Sequence, residues 1–415
     1  MPDHCDIVVV GAGAAGIAAA RLLMAYCVDV RLLEARGRPG GRAYTRIEGG
    51  FPLDMGCGWL HSAELNVLKP LARAAGFAID ESDPPWQRVP DPRYFAPEKH
   101  AQFRAAHDAF DERLAAAGES LVTGQDHPAS ALLEDGCIWN PMFSAISTYV
   151  NGVELDGLSV RDVTRYRDSE VNHRVAEGLG RFIAAMASGL PVTYDCPVHG
   201  IDHAGARITV RTARGDITCA RVIVTVPTNV LASGAIRFTP GLPEHLDAAA
   251  HLPLGVANKV FLSASGADDL LPGTFLIADR MKTATGSYHL RPFGWPMVEG
   301  YFGGAYAREL ERAGPEAFAE QAIAELCAVF GSDWRRRLTR VISSAWAGDP
   351  LSLGSYSHAL PGHADKRAVL AAAHENRIFF AGEATAPHFF STVHGAWESG
   401  ERAAREAMPM RDMVA

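Results

Sequence analysis

Residues 6–10 form an apolar, β-branched run, and the next six, Gly11-Ala12-Gly13-Ala14-Ala15-Gly16, carry almost no side chain. An Ala-rich stretch over 17–27 then reads as a helix, and a second apolar run, 28–33, ends at Glu34. Strand, glycine turn, helix, strand and acid make one βαβ unit. Further along, apolar periodicity predicts helices over 63–76, 95–118, 128–134, 141–150 and 174–189. The proline-rich stretch 83–97, around Trp86 and Tyr94, predicts an irregular crossing between domains. From 192 to 226 the pattern changes to short strands at 192–194, 207–212 and 222–226. Strands are expected again at 258–263, 284–290, 297–302, 340–346 and 377–381. Helices are expected at 315–330, stopped by Gly331, and at 395–408.

The chain has 415 residues, enough for two or three domains, with 48% hydrophobic and 21% charged residues. That is ordinary globular usage and excludes a disordered or fibrous protein. The formal charge of −9 argues against nucleic acid or an anionic membrane surface as partner. The seven cysteines are scattered without a CxxC pair, so neither a disulfide framework nor a zinc site is expected, and no metal is. With no signal peptide and no run of about 18 apolar residues, the expectation is a cytoplasmic protein. The 40 glycines exceed the usual share of about 7%. They ask which backbone positions must stay free of side chains.

The first turn gives one answer. A glycine-rich link between strand and helix lets the backbone approach a pyrophosphate, with the helix N-terminus supplying N–H donors. Glu34, 18 residues past Gly16, stands where an acid would bind ribose hydroxyls. The turn alone leaves NAD, NADP and FAD open. After it come Glu34-Ala35-Arg36-Gly37-Arg38-Pro39-Gly40-Gly41-Arg42 and then Asp54-Met55-Gly56-Cys57-Gly58-Trp59-Leu60-His61. Near the far end stand Phe380-Ala381-Gly382-Glu383-Ala384-Thr385 and Ser391-Thr392-Val393-His394-Gly395-Ala396. Between them lie a strand ending in Pro227, the run Gly255-Val256-Ala257-Asn258-Lys259-Val260, and Trp346 ten residues before Tyr356.

Taken in this order, the motifs resemble the flavin-dependent amine oxidase family, which includes monoamine oxidases, polyamine oxidases and histone lysine demethylases. The resemblance spans nearly the whole chain. It implies an α/β fold, with a Rossmann-like FAD-binding domain and a discontinuous α+β substrate domain whose mixed sheet is flanked by helices. The expected boundaries are 1–82, 191–257 and 366–415 for the first domain, and 83–190 and 258–365 for the second. By resemblance, Gly11, Gly13, Ala14, Ala15 and Gly16 cradle the FAD pyrophosphate and Glu34 holds the adenosine ribose. Ala35, Arg36, Gly41 and Arg42 lie on the phosphate side, and Val198 meets the adenine. Gly56, Cys57, Gly58 and Trp59 line the isoalloxazine, with Pro227 and Trp346 also at the cofactor. Gly382, Glu383, Thr392 and Val393 embrace the ribityl chain and the pyrimidine edge, beside the start of the final helix.

A lysine inside an apolar strand is costly unless paired, and the resemblance gives Lys259 a water at flavin N5. Tyr356 matches one wall of the aromatic sandwich through which an amine passes; the other wall falls on Thr392. Ser355 stands where covalently flavinylated members carry cysteine, so the FAD is expected to be non-covalent. His61 is a candidate to deprotonate the incoming ammonium. Asp168 and Glu170 are candidates to attract a distal ammonium. The expected reaction is hydride transfer from the carbon next to an amine nitrogen to the flavin, with dioxygen as final acceptor. The substrate is expected to be a polyamine or secondary amine, and the partners only that small molecule and O2. A related oxidase acting on an amino acid, a nitrogen heterocycle or another C–H bond is the alternative. For an amino acid, Arg165, Arg167, Arg174 and Arg291 are candidates to clamp the carboxylate. A non-catalytic FAD-binding protein is a third reading, disfavoured by the intact lysine and flavin loops.

Overall fold

In a computed structural model, described over residues 4–120 and 125–408, the chain builds two principal sheets. The larger has eight strands. Its centre is His4–Val10, with Val30–Leu33 and then Val192–Thr193 on one side, all parallel. On the other side lies Gly215–Val224, parallel to the first strand. This long strand is shared: its first half pairs antiparallel with Ile208–Thr212, and its last three residues pair parallel with Ile378–Phe380. Val198–Asp202 and Arg237–Thr239 complete that edge. The second sheet has five antiparallel strands in the order Thr274–Ile277, Ser287–Leu290, Met297–Gly303, Ala257–Ala264 and Leu338–Ser343. Parallel and antiparallel pairing therefore mix in the large sheet alone.

The first βαβ unit forms as its pattern predicts, with a helix at Ala14–Ala25. The final helix, Val393–Ala407, crosses it on small residues. A Cβ at Gly400 would lie 2.0 Å from the Ala15 carbonyl oxygen, so only glycine permits this approach. In the antiparallel sheet, period-two alternation sends Val260, Leu262, Tyr288, Val298 and Phe302 into one core beneath the helix Pro315–Phe330. The opposite face carries Lys259, Glu299, Tyr301 and His289, in register across three strands.

Several expected elements differ. The predicted helix over 174–189 is a strand residue pair, Arg174–Val175, then a short helix, Leu179–Ala185. The break falls at Gly178, whose φ is +97°, and a Cβ at Gly180 would strike the backbone of Tyr44 and Thr45. The buried Asp54 carboxylate accepts the Leu179 and Gly180 N–H groups at 3.0 and 3.1 Å. A long-range acid thus fixes where that helix starts, which local pattern cannot show. The predicted helix over 63–76 shrinks to Leu68–Ala74, because the Asn66 side chain accepts the Leu68 N–H and turns the chain there. The stretch 128–134 is a single 3₁₀ turn, Ala129–Leu132. Strands Val198–Asp202 and Thr274–Ile277, the hairpin of Thr45–Glu48 with Phe51–Asp54, and the helix Gly304–Ala313 lay outside the predicted pattern.

One buried ion pair joins distant segments. Arg367 grips Asp162 in fork fashion at 2.6 and 2.8 Å, both side chains almost fully buried. The same guanidinium reaches Ser357 and the Ala384 carbonyl. Asp162→Ala would strand that guanidinium without its counter-ion. The expected loss is about 3–5 kcal/mol, measured as a fall in the denaturant midpoint. An unchanged midpoint would show that the pair does not hold this junction.

Candidate active site

The glycine turn leaves the first strand at Gly11, φ +103°, and enters the first helix at Gly13. A Cβ at Gly16 would sit 1.8 Å from the Gly11 carbonyl oxygen, so the turn closes on itself only without side chains. The first N–H groups of the helix have no partner within it, as at any helix start. At Gly13 a Cβ would meet nothing within 4 Å, so the turn faces open space. Glu34, 6% exposed, accepts the Ala12 N–H at 2.7 Å and the Arg36 N–H at 2.8 Å, tying the second strand's end to the turn. Ala35 and Gly41 are half-buried beside it, and Gly40 bridges to Gly13. Arg36 extends to Asp349 at 2.9 Å and Ser352 at 3.0 Å. Val198 begins its strand in a half-buried position. Pro227 leads the short helix Thr228–Ala232.

Arg42 crosses to the far end of the chain, donating to the Ser355 carbonyl at 2.7 Å and pairing with Glu383 at 2.9 Å. Burial alone would raise the pKa of Glu383. Arg42, the Ser357 hydroxyl and Arg367 together hold it below the usual carboxylate range. Gly382, φ +137°, again has nothing within 4 Å of a Cβ position. A narrow cavity at the carboxyl ends of the strands is lined by Arg42, Pro227, Leu231, Gly382 and Glu383. Ligands of open α/β sheets bind at this end. Thr392 caps the final helix by accepting the Gly395 N–H at 3.0 Å, with Val393 buried beside it. His394, fully buried, has no partner on either ring nitrogen, and burial pushes its pKa down to about 3. Open glycine backbone at the two turns, Gly13 and Gly382, fits a large polar cofactor between these segments, and the His394 imidazole on the final helix keeps unused hydrogen-bonding capacity.

Lys259 stands at the centre of the second group. Its Nζ donates to the Asp54 carbonyl at 3.0 Å and pairs with Glu299 at 2.9 Å, both side chains nearly buried. Lys259 and Glu299 are diagonal neighbours, since Lys259 faces Tyr301 across the ladder and Glu299 lies two residues before it. The other carboxylate oxygen of Glu299 meets Arg174 at 3.3 Å. Burial would raise the pKa of Glu299, but Lys259, Arg174 and His289 hold it far below the usual range. A Cβ at Gly58 would come within 3.2 Å of the Lys259 ammonium, so the glycine makes room for that charge. Gly56 is closed against the Arg42 carbonyl and the Trp346 ring, and Trp346 Nε1 donates to the Met55 carbonyl at 3.0 Å. The Cys57 thiol is pushed up to about 12 by burial and by Asp54, leaving it unreactive. Trp59 packs edge-on to Trp86 and under Arg174.

Tyr356 donates to the Tyr149 carbonyl at 2.6 Å and meets the Tyr301 hydroxyl at 3.0 Å. Neighbouring Ser355 bonds both the N–H and the C=O of Ala257, each at 2.8 Å. His61 Nδ1 lies 2.7 Å from Asn172 Oδ1, and burial lowers the pKa of the ring. Asn172 donates its own amide to the Glu170 carbonyl, which turns Oδ1 toward His61. His61 therefore carries its proton on Nδ1, and Nε2 is the basic nitrogen. Asp168 and Glu170 are exposed; Asp168 accepts from Ser62 and from the Glu170 N–H. Sequence reasoning missed Glu299, Tyr301 and Tyr149. The alternation of Glu299 and Tyr301 with Val298, Gly300 and Phe302 was the available signal.

The profile of the family described as flavin containing amine oxidoreductase matches residues 14–408. The chain belongs to the flavin-containing amine oxidoreductases. Its cofactor is FAD. Polyamine oxidase 4 of Oryza sativa subsp. japonica is 29% identical over 446 residues, covering 97% of this chain and 88% of its own. Lysine-specific histone demethylase 1 homolog 1 of the same organism is also 29% identical over 446 residues, covering 96% of this chain and 52% of its own. This oxidoreductase thus spans about half the length of such demethylase relatives. Putrescine oxidase bound to putrescine shares the fold, with a TM-score of 0.79 at 19% identity over 97% of this chain and 98% of that one.

Removing the Glu299 carboxylate leaves Lys259 and Arg174 facing each other without a counter-charge. Glu299→Ala should cost about 3–5 kcal/mol at neutral pH, read by denaturant unfolding. Because the folded carboxyl titrates below its unfolded value, its contribution is complete above the ordinary carboxylate range and is lost as pH falls through the folded value. The gap between variant and parent should therefore persist at pH 5 and narrow only in strong acid. A gap that closes already between pH 7 and pH 5 contradicts this.

Proposed function

We propose that the protein oxidises an amine, taking hydride from the carbon next to the nitrogen and releasing an imine that water hydrolyses. The observation that carries this is the family's lysine, held buried and charge-paired between Glu299 and the turn at Asp54 and Gly58. Bound FAD supplies the two-electron acceptor. The turn Gly11–Gly16 and Gly382 would hold it by open backbone, with Glu34, Arg42, Glu383 and Val393 around it. With the proposed domains at 1–82, 191–257 and 366–415 and at 83–190 and 258–365, Gly58 and Lys259 fall on opposite sides of the division, and the substrate is proposed to bind between them, as ligand pockets favour domain interfaces. Dioxygen is the proposed final acceptor, giving hydrogen peroxide.

The chain's own groups divide the work. Lys259, fixed by Asp54 and Glu299, presents a positive charge and a donor at a set position, where pre-aimed groups are worth most. Tyr356, locked by Tyr149 and Tyr301, offers a rigid ring wall to a passing amine, with Thr392 opposite. His61, neutral at pH 7 with Nε2 free of its proton, takes the proton from an arriving ammonium so that the nitrogen lone pair is available. The Ser355 hydroxyl is spent on Ala257, and the position offers no thiol, so FAD is held without a covalent bond.

Lys259→Met should slow flavin reduction or reoxidation by about tenfold or more, measured in each half-reaction by stopped flow; unchanged rates in both contradict its role. Acid precipitation should leave a colourless protein pellet and yellow supernatant, and flavin retained in the pellet would overturn non-covalent binding. Anaerobic mixing with an amine panel should bleach the flavin. If neither polyamines, secondary amines nor amino acids bleach it, amine oxidation is the wrong reaction.

A further inference from the structure

On the far side of the Lys259–Glu299 pair lies a second cavity of about 200 Å³. Three arginines reach it from separate segments: Arg88, Arg174 and Arg291. In a chain of net charge −9, that concentration of guanidinium is unexpected. Trp59 and Phe293 supply apolar wall, and Arg174 lies over both rings at 5.1 and 4.8 Å. Buried Arg174 marks the inner end, whereas exposed Arg88 and Asp83 mark the outer one.

The protein satisfies these arginines only in part: Arg88 donates twice to the Asp83 carbonyl, but Arg174 and Arg291 each keep an unused donor. Arg174 is 6% exposed and spends one nitrogen on Glu299, and its buried Nε has no hydrogen-bond partner. Arg291 uses Nη1 on the Leu270 carbonyl at 2.8 Å and Nη2 on the exposed Asp268 carboxylate at 3.3 Å, while its buried Nε is unpartnered. Buried donors are paired in the great majority of cases, so the two orphans behind this cavity wall mark guanidiniums whose pairing the protein leaves incomplete. Arg291 and Phe293 both sit in the left-handed region, at φ +50° and +55° around Pro292. Such strain in non-glycine residues gathers at ligand sites. His289, on the same wall, is pushed down to about 4 by burial and by Arg174, so at neutral pH it is an uncharged ring.

We propose that this cavity binds a small organic monocarboxylate, gripped by Arg174 and Arg291 with its apolar body against Trp59 and Phe293. A fork of guanidinium donors matches a carboxylate in plane and charge. Asp80 and Asp83 also line the cavity and set the limit: a polyphosphate or a dianion would meet them on entry. A polyamine would meet three guanidiniums. The volume is below that of a typical drug-sized pocket, which suits one ring with one acid group. The site lies one residue from the lysine, since Arg174 and Lys259 share Glu299. The carboxylate has two sources, a substrate amine that itself bears an acid or a separate acid that modulates the lysine network. Binding does not depend on the amine-oxidation reading, whereas the substrate source rests on it.

Titration of the FAD-loaded protein with benzoate by calorimetry tests this, with benzamide as the uncharged control. Benzoate should bind and benzamide should not, and Arg291→Met should weaken benzoate by about tenfold or more while the protein retains its FAD. Arg174→Met should do the same, but Arg291→Met keeps the test valid if the loss of Arg174 unfolds the chain. No benzoate binding, equal binding of benzamide, or unchanged affinity in a folded Arg291→Met would overturn the proposal. Anaerobic mixing then separates the sources. Bleaching by phenylalanine that benzoate blocks competitively assigns the carboxylate to the substrate. Bleaching only by amines without an acid group, at a rate that benzoate alters without competing, assigns it to a modulator. If no amine bleaches the flavin but benzoate binding follows Arg291, the oxidase reading fails and the carboxylate site stands.

Discussion

A buried ammonium needs a counter-charge, and in this protein one carboxylate answers two cations. Glu299 pairs with Lys259 on the neighbouring strand and with Arg174 from a segment far earlier in the chain. Taking one ion from water into a protein interior costs several kcal/mol, so none of the three is stable there alone. The arrangement ties the antiparallel sheet to the turn at Asp54 and Gly58, and through Arg174 to the strand that lies beside Leu60. The site's geometry follows from it. The lysine is held in place, a side chain on the glycine beside it would press on the ammonium, and Trp59 lies beneath the arginine.

The flavin side rests on a different constraint, the absence of side chains. Gly16 against Gly11, and Gly400 against Ala15, bring backbone to distances that a single methyl would forbid. These contacts stack the final helix on the first and set both N-termini near the carboxyl ends of the parallel strands, where helix dipoles favour negative charge. Arg42 and Glu383, more than three hundred residues apart in sequence, close the gap between the two glycine turns. One end of the molecule is thus organised by what is missing from the chain, and the other by charges that must find each other.

Much of this was legible along the chain because it is local. The βαβ unit, the glycine turn and Glu34 lie within thirty residues or so, and hydrophobic periodicity with glycine spacing determines them. The lysine strand was also readable, since a charge among Val256, Val260, Phe261 and Leu262 stands out without any partner in view. The helix expected over 174–189 failed for the converse reason. Asp54 and the backbone at Tyr44 dictate its start, and neither is nearby in sequence.

The sequence by itself determined the family, the cofactor and the positions where backbone must be bare, because these depend on short-range pattern and on residues with no substitute. Only the tertiary structure decided how the charges are shared. Nothing in the strand 297–303 says that Glu299 will serve both Lys259 and Arg174, for that follows from the register between strands and the packing of a distant segment. Nor does the sequence say that Arg88, Arg174 and Arg291 meet at one cavity with donors left over. Their convergence is a matter of long-range packing, where burial fixes which hydrogen bonds are made and which are left open.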